Sequence, residues 1–70
     1  MRDRTGQAWM ASGRVAYVVI GPPRLDDENH ARMLHPVVLL DTLERKELAE
    51  WVSFSWEQLG IERLASEDGP

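Results

Sequence analysis

The residues best suited to chemistry lie between positions 24 and 35. His30 and His35 are the only imidazoles of the chain, and three consecutive carboxylates, Asp26, Asp27 and Glu28, come shortly before them. An imidazole beside a carboxylate can move protons, and the same side chains bind metal ions. The two histidines are separated by a loop and the start of a strand, which matches no metal-ligand spacing. We therefore predict no metal site, no cofactor and no assigned catalytic residue.

Cations in the same segment suggest contacts with a partner instead. The predicted loop-contact residues are Arg24, His30 and Arg32 in an exposed polar loop that runs from 24 to 32, and His35 shortly after it. Three of them could bracket a phosphate, but the whole chain has 12 acidic and 8 basic residues and a net charge of -4. Because counterion release by lysine and arginine supplies most of the affinity for a phosphate backbone, this charge disfavours nucleic acid as a partner.

Two apolar runs must position these residues. Val15–Ile20 and Val37–Leu40 predict paired strands at the centre of a small β domain. Side chains alternate across a strand, so Val15, Tyr17 and Val19 should face one way and the residues between them the other. Both faces are apolar. The sequence therefore predicts strands that are covered on both sides, by the rest of the fold or by another chain.

Turn signals divide the remaining chain. A first strand is predicted over 7–10, a hairpin turn at Ala11-Ser12-Gly13, and a third strand over 33–41 after the break at Gly21-Pro22-Pro23. The segment 42–59 supports two interpretations, because apolar residues recur at helical spacing from Leu48 to Leu59 while Val52-Ser53-Phe54-Ser55-Trp56 alternates like a strand. We favour a turn at 41–45, a strand within 46–54, a short helical turn over 55–59 and a last strand over 61–64. The alternative is an α+β fold with three strands and a helix over 42–59.

The order of these signals resembles that of small SH3-like barrels of bacteria and phages. The resemblance covers about residues 6–65 and includes Gly6 and Trp9, Gly13 and Tyr17, the polar loop, the run His35-Pro36-Val37-Val38-Leu39-Leu40-Asp41, the two later tryptophans, and Ile61-Glu62-Arg63-Leu64. It implies a mainly β fold, with five short strands closing into a barrel and one helical turn before the last strand. It also implies that the domain binds protein, peptide or nucleic acid.

A second, narrower likeness concerns Gly21-Pro22-Pro23-Arg24 and the run that begins at Pro36. This pair is similar to the first strands of the PemK-type growth-inhibitor ribonucleases, with His35 in place of that family's arginine and Asp41 where a serine or threonine stands. The likeness implies, as an alternative, a minimal endoribonuclease. A nucleic-acid-binding small barrel is the third possibility.

Length and composition set the organisation of the chain. Seventy residues make one domain, which we place at 7–64 between a flexible arm at 1–6 and a flexible tail at 65–70. Cysteine is absent, and neither a signal peptide nor a membrane-spanning run is evident. The predicted location is the cytoplasm, or the virion if the chain is encoded by a phage.

Too few residues remain to cover both faces of the central strands. A domain of this size buries only about 60% of the surface that its unfolded chain exposes. An apolar face that stays exposed usually marks association. The predicted interface residues are Ala16, Val18, Ile20, Val37, Leu39, Trp51 and Trp56. The sequence thus predicts a non-catalytic interaction or structural subunit that self-associates or docks into a larger assembly with a protein partner and makes no membrane contact.

Overall fold

The computed structural model describes residues 3–11 and 14–64, and these form a mainly β fold as predicted. The six strands are β1 (Ala8–Ala11), β2 (Val15–Val19), β3 (Arg24–Leu25), β4 (Arg32–Leu39), β5 (Arg45–Trp51) and β6 (Glu62–Arg63). The turn residues Ser12 and Gly13 and the predicted tail at 65–70 lie outside the described residues. No helix in the described ranges is long or apolar enough to span a membrane.

All six strands belong to one antiparallel sheet. The eight-residue strand β4 pairs with β5 along one side and with β3 and then β2 along the other, and β1 joins β2 to β6. Within the described ranges no pairing joins β5 to β6, so the sheet stays open. The predicted closed barrel of five strands is therefore wrong.

The ambiguous segment from 42 to 59 is a strand followed by turns. β5 occupies Arg45–Trp51, so the helix alternative is wrong. The predicted helical turn at 55–59 is a hydrogen-bonded turn instead of a helix, with Ile61 N donating to Trp56 O at 3.0 Å. Gly60 takes a φ of 83°, which glycine adopts without steric cost, and so lets the chain turn back into β6.

The predicted long loop at 24–32 is mostly a hairpin. Arg24 pairs with Leu34 and Leu25 with Met33, so only residues 26–31 form the connection. Two side chains fix this turn, because Asp26 Oδ1 accepts from Glu28 N at 2.9 Å and Asn29 Oδ1 accepts from Ala31 N at 3.0 Å. Asp and Asn commonly stabilise turns in this way.

The inner face of the sheet forms the core. Its fully buried apolar side chains are Trp9, Tyr17, Val19, Val37 and Trp56, with Ala11, Leu39, Leu48 and Ile61 packed against them. The predicted alternation along β2 is confirmed, since Tyr17 and Val19 are buried. The core is aromatic, with the ring of Trp56 edge-on to those of Trp9 and Tyr17 at centroid distances of 5.5 and 5.4 Å.

The described part of the predicted N-terminal arm, residues 3–6, packs against this core. Gly6 N donates to Val19 O at 2.8 Å, and Gln7 O accepts from Val19 N at 2.9 Å, which ties the segment to the end of β2. The side chain of Arg4 is 1% exposed. Asp3, Thr5 and Gly6 are exposed, so the buried contact of this segment is made by Arg4, whose guanidinium has the partners described below.

Candidate functional site

The inner face holds a buried cluster of charged side chains around Glu50. Inner positions of β4 and β5 alternate with outer ones, and His35 and Glu50 both point inward. Four donors surround the carboxylate: Oε1 accepts from Arg4 Nε at 2.9 Å and His35 Nε2 at 2.8 Å, and Oε2 accepts from Arg4 Nη2 at 2.6 Å and Trp56 N at 3.0 Å. A carboxylate has about four acceptor positions, so that of Glu50 is fully used.

The guanidinium of Arg4 is paired just as completely. In addition to its bonds to Glu50, the guanidinium donates from Nη2 to Glu57 Oε1 at 2.9 Å. Its Nη1 donates to Glu57 Oε2 at 3.3 Å and to Gln7 Oε1 at 3.4 Å. All five N–H groups of the fork therefore have acceptors. The same group lies against two indole rings, 4.8 Å from the centroid of Trp9 and 5.1 Å from that of Trp56.

The groups around them shift the pKa values of Glu50 and His35. Burial would raise the pKa of Glu50, but hydrogen bonds from Arg4 and Trp56 outweigh it and lower the pKa to about 2. Burial lowers the pKa of His35 below its usual value, and the hydrogen bond to Glu50 opposes this only in part. At neutral pH the folded protein therefore keeps His35 neutral and Glu50 charged.

We expect stability to fall with acid in two stages. Unfolding frees His35 to bind a proton near its usual pKa of about 6.5, so stability falls from about pH 6.5 downward by about 1.4 kcal/mol for each unit of pKa depression. The pKa of Glu50 is lowered as well, so its contribution is lost as the pH falls from about 4.5 to about 2. Urea unfolding at a series of pH values measures both stages.

Two histidine variants separate the first stage from general acid effects. His35→Gln keeps an N–H donor toward Glu50 but cannot titrate, so its stability should be flat between pH 7 and pH 5. His30 is exposed in the turn at 26–31, and His30→Gln should keep the wild-type profile. A His35→Gln profile that falls as steeply as that of the wild type would rule out this histidine as the source.

The outer face of the sheet is the second distinctive feature, and it is apolar. Cross-strand pairing places Val18 between Ala8 and Val38 at its centre. We define the outer face by its apolar members, which are half-buried or exposed: Ala8, Met10, Ala16, Val18, Ile20, Leu34, Pro36, Val38 and Ala49. It spans four strands, β1, β2, β4 and β5. Ile20 is exposed and the other eight are half-buried, and all six described strands lie in the one sheet, so no second layer of strands packs on this face.

Charged residues border this apolar surface. Arg24 and Glu47 form a two-point ion pair across β4, with Nε–Oε2 at 2.9 Å and Nη2–Oε1 at 2.8 Å. Arg45 lies beside Val38 at one margin, and Glu62 lies beside Met10 at the opposite margin. Neither Arg45 nor Glu62 has an ion-pair partner in the described ranges. A cleft of about 390 Å³ opens between Ile20, Pro36 and β5.

The structure divides the predicted interface residues between the two faces. Ala16, Val18 and Ile20 lie on the outer face, and Ile20 is 44% exposed. Val37 and Trp56 are buried in the core, and Leu39 packs against it, which replaces the interface expectation for these three by a core role. For Val37 and Leu39 the reason is the register, since residues paired with Tyr17 and Val19 share their inward face. Trp51 is 38% exposed beside Arg32, with 5.6 Å between Cζ and the ring centroid.

The predicted loop-contact residues do not come together. Arg24 is paired with Glu47 on the outer face. Arg32, the first residue of β4, donates from Nε to the carboxylate of Asp26. His30 is exposed in the turn, while His35 is 0% exposed in the core. The histidine thus lies on the opposite face of β4 from Arg32, because the two residues are three positions apart along an alternating strand.

Sequence reasoning missed Arg4, Glu50 and Glu57. Arg4 is 46 residues from Glu50, and no local pattern indicates so distant a pair. One signal was present in β5, where Leu48 and Glu50 fall on the same face. A carboxylate on the same face of a strand as a core leucine indicates a buried acid, which requires a cationic partner.

Comparisons with protein-family models, with curated proteins and with solved structures found no match to this chain.

Proposed function

We propose that this protein is a non-catalytic structural or interaction subunit, and that its outer face binds a second copy of the chain. The observation that carries the proposal is the apolar surface spanning four strands, whose side chains are half-buried except for the exposed Ile20, while Trp9, Tyr17 and Trp56 are fully buried on the inner face. Contiguous apolar patches of this kind mark association sites in soluble proteins.

The face is better suited to association than the strand edges are. β5 is an edge strand of seven residues, but its first three, Arg45, Lys46 and Glu47, are charged and exposed. Farther along, Trp56 Nε1 donates to Ala49 O at 2.9 Å and covers the edge. Charge and cover are the usual protections against edge-to-edge pairing. A partner would therefore stack on the sheet and not extend it.

The charged margins favour a second copy as the occupant. Sheets that pack face to face keep their strands roughly aligned. A twofold axis parallel to the strands lays β5 of one copy over β1 and β6 of the other, which brings Arg45 toward Glu62 of the second copy. The two residues are about two positions apart along the strands, within reach of an arginine side chain. The surface is thus complementary to itself in charge and in hydropathy.

The size of the face sets the strength of association. The four strands have 4, 5, 8 and 7 residues, which gives on the order of 400 Å² per copy. Burying this on both copies removes on the order of 800 Å², which lies below the range of stable complexes. We expect a reversible dimer that forms at micromolar or higher concentration.

Sedimentation velocity over a range of concentrations tests the proposal. The wild type should shift from monomer to dimer, and Val18→Asp should stay monomeric, since it places a charge at the centre of the outer face. Val52 is 62% exposed and lies beyond the end of β5, so Val52→Asp adds the same charge elsewhere and should dimerise normally. A wild type that stays monomeric at high micromolar concentration would refute self-association.

The two other functions remain predictions without a specific observation in their favour. A PemK-like ribonuclease would use residues such as Arg32 and His35, which lie on opposite faces of β4, the histidine fully buried. Nucleic-acid binding would have to act against the net charge of -4. The cytoplasmic or virion location also remains a prediction.

A further inference from the structure

The pocket that holds Arg4 is built from parts of the chain distant from Arg4 itself. Trp9 belongs to β1, Glu50 to β5, and Trp56 and Glu57 to the turn before β6. We call these four residues the guanidinium cage. Residues 3–6 contribute none of its walls, so the folded chain keeps the cage when the arginine side chain is removed.

The chemistry of the cage matches a planar cation with several donors. Glu50 and Glu57 each accept two hydrogen bonds from one edge of the guanidinium, and the two indoles lie against the group at 4.8 and 5.1 Å. Carboxylates recognise guanidinium in this two-point manner, and tryptophan binds cations with its ring face. An ammonium group has only three donors, which do not form a planar fork, and it is more strongly hydrated.

Contacts other than those with Arg4 hold Glu50, Trp56 and Trp9 in place. Glu50 also accepts from His35 Nε2 and from Trp56 N, so its carboxylate is oriented by neighbours besides Arg4. Trp56 is fixed by its bond to Ala49 O, and Trp9 and Trp56 pack edge to face. A pre-organised site loses little conformational entropy on binding, which favours small ligands.

We propose that the guanidinium cage is a binding site for alkylguanidinium cations, occupied in the free protein by the chain's own Arg4 and open to a guanidinium ligand when that side chain is absent. The proposal is independent of the outer face, which lies on the other side of the sheet. It identifies the ligand class as the arginine side chain or a small analogue.

Chemical rescue of Arg4→Ala in the full chain tests the proposal. Millimolar ethylguanidinium should raise the thermal midpoint of this variant by about 5 °C or more, because a ligand that binds only the folded state stabilises it. Ethylammonium at the same concentration and ionic strength should give little change. The wild type, whose cage is filled, should respond to neither cation.

Two further variants keep the test decisive. Arg24→Ala removes an exposed, ion-paired arginine and should show no rescue, as the matched control. Adding Glu57→Gln to Arg4→Ala should weaken the rescue, since one carboxylate of the cage loses its charge. If Arg4→Ala is unfolded alone, recovery of the folded near-UV circular dichroism signal with ethylguanidinium replaces the midpoint. Equal responses to ethylguanidinium and ethylammonium, or no response to either, would overturn the proposal.

Discussion

Replacing Glu50 by alanine is expected to lower the free energy of unfolding by about 3–5 kcal/mol, because it leaves the buried Arg4 guanidinium without its main counter-charge. The side chains of Glu50 and Arg4 are 4% and 1% exposed, so water cannot take over the lost contacts. A chain of 70 residues has a total stability on the order of 4–10 kcal/mol. We therefore expect Glu50→Ala to lose about half of its stability, as urea or thermal unfolding would measure.

Glu47 provides the matched control for this prediction. It also pairs with an arginine through two hydrogen bonds, but Glu47 and Arg24 are 44% and 54% exposed. Solvent screens such pairs and hydrates the partner that remains. Glu47→Ala should therefore unfold close to the wild type, and similar unfolding curves for Glu47→Ala and Glu50→Ala would contradict the assigned role of the buried cluster.

Trp56→Ala is expected to have an effect of similar size for a different reason. The side chain is 1% exposed and contacts the rings of Trp9, Tyr17 and His35, the last at a centroid distance of 4.6 Å. Its removal leaves a large cavity, and tryptophan-to-alanine changes in cores cost about 3–5 kcal/mol. It also removes the indole N–H that covers Ala49 O. Chemical denaturation followed by far-UV circular dichroism measures the loss.

Trp51→Ala is the control for the core variant. Trp51 is the same residue type five positions earlier, but it is 38% exposed, and its described ring contact is with Arg32. We expect a change of about 1 kcal/mol or less. If both tryptophan variants lost stability equally, the assignment of Trp56 to the core and Trp51 to the surface would be wrong.

These two tryptophans show where sequence patterns stop being informative. The alternation from Val52 to Trp56 indicates one strand with Val52, Phe54 and Trp56 on a shared face. The structure ends β5 at Trp51, and the following turn exposes Val52 and Phe54 while it points Trp56 into the core. A period-two pattern predicts a shared face only while the strand continues, and nothing local marked its end.

The central strands could be predicted because their signal is local. Val15–Val19 is a strand as expected, and β4 and β5 lie near their predicted positions. Both faces of β2 are apolar, as the sequence indicates. Which face of β4 joins the core depends on its register with β2. The sequence Val37–Leu40 alone therefore could not predict that Val37 and Leu39 point inward.

The buried cluster could not be predicted because its energy is nonlocal. The first residues are polar, and polar termini are commonly loose. Arg4 is buried only because Glu50, Glu57, Trp9 and Trp56 meet at one point, which requires the folded sheet. The open sheet has a similar cause, since the pairing of distant strands carries no sequence signature.

Charge exchange across the proposed dimer tests the central claim most directly. Arg45→Glu and Glu62→Arg each place like charges together in a twofold dimer, so each variant alone should sediment as a monomer at concentrations where the wild type dimerises. An equimolar mixture should form a heterodimer, because both contacts are then between opposite charges. If each variant alone dimerises as the wild type does, or if the mixture stays monomeric, the outer face does not bind a second copy in the way proposed.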